Sequence, residues 1–123
     1  MDSAAGINGI IKISEEVVGI IAGIAATDVE GVAGMSGGII GGIAQLLGKN
    51  SLANGVKVGI NKDDAVIDIF VVVNFGVRIP VVAFKIQEKV KESVEEMTSL
   101  NVKEANVHVQ GVIVEKKDEA VAK

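Results

Sequence analysis

Residues 65–97 read AVIDIFVVVNFGVRIPVVAFKIQEKVKESVEEM, and across their one glycine and one proline the apolar period changes from two to about 3.6. Ala65, Ile67, Ile69, Val71, Val73 and Phe75 fall on one face of a pleated strand, with Asp68 and Asn74 on the other. Gly76 can adopt a positive φ, and Pro80, the only proline, suits the first helical position, where a missing N–H leaves nothing unpaired. Ala83, Ile86, Val90, Val94 and Met97 then recur at steps of three and four. Lys85, Glu88, Lys89, Lys91, Glu92, Glu95 and Glu96 fill the remaining wheel. The stretch predicts a half-buried strand, a turn and an amphipathic helix laid on a sheet.

Working outward, Gly9 to Ile13 reads as a short strand. Ser14 is placed to cap a helix that has Glu15 and Glu16 in its first turn and runs to about Ala26. Val17, Ile20, Ile21, Ile24 and Ala25 form its apolar stripe. Gly19 and Gly23, one turn apart, allow close backbone approach, which in a chain of this kind means tight packing on a sheet rather than a membrane dimer. Val29 to Met35 reads as a second strand. Val56 to Ile60 and Ala65 to Phe75 form a hairpin about Asn61-Lys62-Asp63-Asp64, a turn-favouring composition. Asn101 to Val114 returns as a strand, with Val107 and Val109 inward, His108 and Gln110 outward, and Gly111 at a bulge. The order is β-α-β-β-β-α-β. It predicts one α+β domain over residues 9–114, with two helices on one face of a mixed sheet. Residues 1–8 and the charged residues 115–123 form tails.

Between the second strand and the hairpin lies a glycine-rich segment, 36–54, containing SGGIIGGIAQLLG. On a helix, Ile39, Ile40, Ile43, Leu46 and Leu47 would make one apolar stripe, although each of its glycines costs about 1 kcal/mol relative to alanine. These five residues either pack within the domain or form an exposed patch that meets a partner, and they are the candidate interaction surface. Residues 31–48 carry no charge, but seven of the 18 are glycine, too little hydrophobicity for a membrane span. A surface-lying membrane helix would carry Lys or Arg on its polar face, and none precedes Lys49. Self-association or a protein partner is the expected use.

The 123 residues are enough for one core, but aromatics make up only 2% of them, so that core is aliphatic. A formal net charge of −4 and this scarcity of stacking side chains argue against a nucleic-acid binder. The absence of cysteine excludes disulfides, thiolate metal sites and a cysteine nucleophile. No basic stretch leads into an apolar core at the N-terminus, so no secretory signal is expected and the chain is read as cytoplasmic.

Groups for catalysis are few. His108, the only histidine, is expected on the solvent face in an incidental role, and Asp63-Asp64 lacks the alternation of a calcium loop. Gly48-Lys49 fails the phosphate-loop spacing, because Ile43 stands at the first glycine position and Asn50 at the hydroxyl position. Gly38-Ile39-Ile40-Gly41 satisfies a bare GxxG without the basic residues of a nucleic-acid clamp. Arg78, the sole arginine, reads as a solvated turn residue. Asp68, Asn74, Arg78 and His108 are not expected to converge, and no catalytic, cofactor or metal residue is assigned.

The run VVVNFGVRIPVVAFKIQEKVKESVEEMTSLNVKEANVHVQGV resembles the signature of the bacterial alkaline shock protein family, also called the envelope stress response or general stress protein family. GIIKISEEVVGIIAGIAATDVEGVAGM is similar to that family's opening strand, helix and second strand, so the resemblance spans Gly9 to about Val114. Three positions depart from the family's common pattern: Glu30 where a proline is frequent, Phe75 where a tyrosine is usual, and Ser99 where a glycine is common. The resemblance implies a non-enzymatic cytoplasmic protein of mainly Gram-positive bacteria, linked to cell-envelope stress. It implies homo-oligomers and indirect recruitment to the cell membrane by a small membrane anchor protein. Other members are associated with fatty-acid synthesis, which leaves a regulator of lipid supply as the alternative, and an RNA-binding regulator as a more distant one.

Overall fold

The computed structural model describes residues 9–36 and 55–114. In chain order these form α1 (Glu15–Thr27), β1 (Val32–Met35), β2 (Val56–Asn61), β3 (Asp64–Asn74), α2 (Ile79–Thr98) and β4 (Asn101–Ile113). The α+β class, the mixed sheet and the order from α1 onward are as the sequence predicts. Gly9 to Ile13 is the exception and carries no strand. Gly9 has φ 125, Ile10 and Ile11 are exposed, and both edges of the central strand are already taken. The expected tails at 1–8 and 115–123 and nearly all of the glycine-rich segment lie outside the described residues.

β3 is the axis of the sheet. Along one edge it pairs antiparallel first with β2, from Asn61 opposite Asp64 to Val56 opposite Ile69, and then with β1, from Met35 opposite Val71 to Val32 opposite Val73. Along the other edge it pairs in parallel with β4 over its whole length. That parallel pairing needs a crossover, which α2 supplies. The hairpin turn is Lys62-Asp63, with Lys62 at φ 61. The register of β4 slips between its Val109 and Gly111 partners, so the expected bulge is present, with Gln110 as the extra residue.

Both helices cover one face. Ala65, Ile67, Ile69, Val71 and Val73 are fully buried beneath Val18 and Ala22 of α1 and Ile86, Val90 and Val94 of α2, in one aliphatic cluster. Each fully buried isoleucine contributes about 1.5–3 kcal/mol. Phe75, expected to extend this row, lies past the end of β3 and is exposed. α2 begins one residue before Pro80 with Arg78 as N-cap, and it ends at Ser99, whose φ of 67 is left-handed. Its buried row is Val82, Ile86, Val90, Val94 and Thr98, every fourth residue. The expected stripe is therefore corrected at both ends, where Val82 replaces Ala83 and Thr98 replaces Met97. Thr98 is accommodated because its hydroxyl donates to Val94 O at 2.6 Å and accepts from Leu100 N–H at 3.1 Å.

Candidate interaction surfaces

α1 is turned the opposite way from the sequence reading. Its buried residues are Val18, Gly19, Ala22, Gly23, Ala25 and Ala26, while Val17 and Ile24 are exposed, Ile24 by 49%. Val18, Ala22, Ala25 and Ala26 join the buried cluster of the sheet, and Gly19 and Gly23 beside them are buried too, so the smaller row of the helix is the one turned inward. Of the expected stripe, Ala25 is buried and Ile21 packs against the margin of the core, while Val17 and Ile24 are left outside. Both members of the glycine pair are buried. Size is what the apolar pattern leaves out: a row of isoleucines and a row of glycine and alanine are both compatible with an interior, and here the smaller row fits.

Ile20, Ile21 and Ile24 consequently line a groove of about 400 Å³ between α1 and α2. Met97, 70% exposed, contributes from α2, and Ser93 is the polar member of its floor. At one rim Lys89 Nζ and Asp28 Oδ2 are 3.6 Å apart, an exposed pair of little energetic weight. The groove offers aliphatic surface and no convergent polar groups, so it suits an apolar side chain or helix of a partner.

The opposite face of the sheet carries a polar and aromatic cluster. His108 stacks on Phe70 with ring centroids 4.4 Å apart and planes 11° from parallel. Its Nε2 lies 3.1 Å from Asp68 Oδ1, the same oxygen that accepts from Asn106 Nδ2 at 3.1 Å. Lys57 Nζ sits 5.8 Å from the Phe70 ring centroid. The hydrogen bond to His108 holds the Asp68 carboxyl below its ordinary value, and the Asn106 bond acts in the same direction. The sequence pattern does not foretell this pairing. Asp68 and His108 do meet, because the parallel register sets Asp68 beside Asn106 and Phe70 beside His108. Asn74 and Arg78 make no contact with the pair: Asn74 ends β3 and Arg78 caps α2 without a side-chain hydrogen bond. Among the described residues no group of three His, Asp or Glu side chains is placed to hold a metal ion.

Ile39, Ile40, Ile43, Leu46 and Leu47, the surface picked out from sequence, lie outside the described residues. The GxxG and Gly-Lys candidates fall there too. No described helix is long and apolar enough to cross a membrane.

The molecule is thus a two-layer α+β domain with one helix turned apolar side out. The chain belongs to the alkaline shock protein 23 family, whose described role is a cell envelope-related function and whose profile matches residues 3–114. This is the family that the sequence resembles. YqhY of Bacillus subtilis (strain 168) is 42% identical over 113 residues, covering 92% of this chain and 84% of the relative. YloU of the same organism is 38% identical over 108 residues, 86% of this chain and 90% of that protein. A protein named stress response regulator gls24 homolog, from Streptococcus pyogenes serotype M3, is 29% identical over 120 residues, covering 97% of this chain and 67% of that one. Among solved structures, a variant of the MamM CTD aligns with a TM-score of 0.49 and 18% identity over 80% of this chain and 98% of that one.

Proposed function

We propose that this chain is a non-enzymatic protein of the cell-envelope stress response, acting as a self-associating scaffold or adaptor held near the membrane through an anchor protein. The observation that carries the reading is the outward apolar stripe of α1. A helix apolar on all sides is normally enclosed, and α1 has only one side against its own sheet. The stress role is supported by the naming of the gls24 homologs, and the envelope by the family description. We assign a second contribution to Ile39, Ile40, Ile43, Leu46 and Leu47, whose sequence pattern offers the same aliphatic chemistry.

Light scattering across a concentration series tests the reading, with circular dichroism as the folding control. The intact chain should gain mass with concentration, and Val17→Ser, Ile24→Ser should lose that gain while keeping its helix content. Loss in Ile39→Ser, Ile43→Ser would add the glycine-rich segment to the interface. A monomer at every concentration would remove self-association from the mechanism.

A further inference from the structure

β4 forms one margin of the sheet, and among the described residues its outer edge is closed along one half only. Asn101 N–H donates to Asp63 O and Phe75 N–H donates to Ile113 O, so the backbone groups at both ends of β4 turn toward β3. Counting inward from these anchors through the two register slips, at Lys103 and Gln110, the alternation aims the backbone groups of Val102, Ala105, Val107, Val109 and Val112 away from the sheet. Helix α2 occupies the first part of that edge. Glu95 Oε2 accepts from Val102 N–H at 2.9 Å, and Gln87 Nε2 donates to Ala105 O at 2.9 Å.

These contacts also show that α2 runs antiparallel to β4. One turn back from Gln87 on that flank is Phe84, and one turn further is Val81. Both are exposed, Phe84 by 57%. Polar side chains therefore border the closed half of the edge and apolar side chains border the open half. Residues 105–114 carry no ionisable side chain except His108, and residues 79–84 carry none.

We propose that the open edge of β4, Val107 to Val112, pairs with the same edge of a second copy, antiparallel about a twofold axis. The inference rests on the self-association reading but places an interface away from the helical groove. Isologous antiparallel pairing sets residue i against residue j and j against i, so a net charge anywhere on the strip is repeated across the seam; an uncharged strip avoids that repulsion. It also places the exposed Val81 and Phe84 of each copy beside the seam, on the layer that already holds the helices. The outward backbone groups, otherwise an unprotected strand edge, become part of a continuous sheet.

The test uses the full chain. Val109→Pro removes an N–H from the open side, where proline is tolerated by the fold, and Phe84→Lys places like charges at the seam. Each should abolish dimer formation with the circular dichroism spectrum unchanged. Because the chain lacks cysteine, a nitroxide on Gln110→Cys reports the seam directly, and dipolar broadening between copies is expected. Assembly that survives both Val109→Pro and Phe84→Lys but fails in Val17→Ser, Ile24→Ser would overturn the edge pairing and leave the scaffold reading intact. A chain monomeric at all concentrations would overturn both.

Discussion

Asp68 and His108, 40 positions apart in sequence, are joined at 3.1 Å on the sheet face away from the helices. The join follows from register: parallel pairing of β3 with β4 sets Phe70 beside His108 and leaves Asp68 one diagonal step away. The carboxyl is held below its ordinary 3.8, chiefly by this hydrogen bond. A depressed carboxyl stabilises the fold fully above its unfolded value and loses that contribution as the pH falls through the folded value. His108→Ala should therefore raise the Asp68 titration midpoint, read by carboxyl NMR, and flatten the acid limb of stability against pH. An unmoved midpoint would assign the shift to Asn106 instead.

Gly31 has φ 102, and a Cβ there would meet Val82 Cγ2 at 3.0 Å and Val77 Cγ1 at 3.2 Å. Gly31→Ala combines backbone strain with crowding and should cost about 1–3 kcal/mol in urea unfolding. At Gly34 and Gly59 a Cβ meets nothing within 4 Å. Alanine at either should leave the unfolding midpoint nearly unchanged.

Ser99 ends α2 at φ 67, with its N–H donating to Glu95 O at 3.0 Å. A left-handed cap is disfavoured for a residue bearing Cβ, so Ser99→Gly should raise stability by about 1 kcal/mol. An unfolding midpoint that fails to rise would show that the cap is held without strain.

Ile86 and Ile24 are chemically identical and differently placed. Ile86 is fully buried between helix and sheet, and Ile86→Ala should cost about 2–5 kcal/mol. Ile24→Ser lies on the groove and should change monomer stability by less than about 1 kcal/mol. Denaturation at a concentration where the protein is monomeric separates the two. Equal losses would mean that the outer side of α1 is already covered within one chain.

Most of the fold was legible because β3 and α2 keep strict periods. Ala65, Ile67, Ile69, Val71 and Val73 are buried at a step of two, with Val72 of the other face buried as well, and Ile86, Val90 and Val94 recur every fourth residue. The misreadings share a cause. Periodicity reports that a face is apolar, but not which of two apolar faces a neighbour will select. In α1 both Val17-Ile20-Ile21-Ile24 and Gly19-Ala22-Gly23-Ala26 qualify, and the second is the one turned inward. At Met97 and Phe75 the pattern continued after the supporting element had turned away or ended. The Asp68–His108 contact depended on a pairing register between strands separated by a helix, which no local pattern encodes.

The shared edge of β3 has a consequence in polymer terms. Met35 sits opposite Val71 and Val56 opposite Ile69, so the chain departs from and rejoins the sheet at sites only two residues apart along β3, about 7 Å. That separation is fixed by the central strand and does not depend on how much chain lies between. The entropy of closing such an interval grows only with the logarithm of its length, about 0.6 kcal/mol per doubling. The two junctions are therefore held next to each other by β3 itself, and the central strand acts as a ruler that sets their spacing.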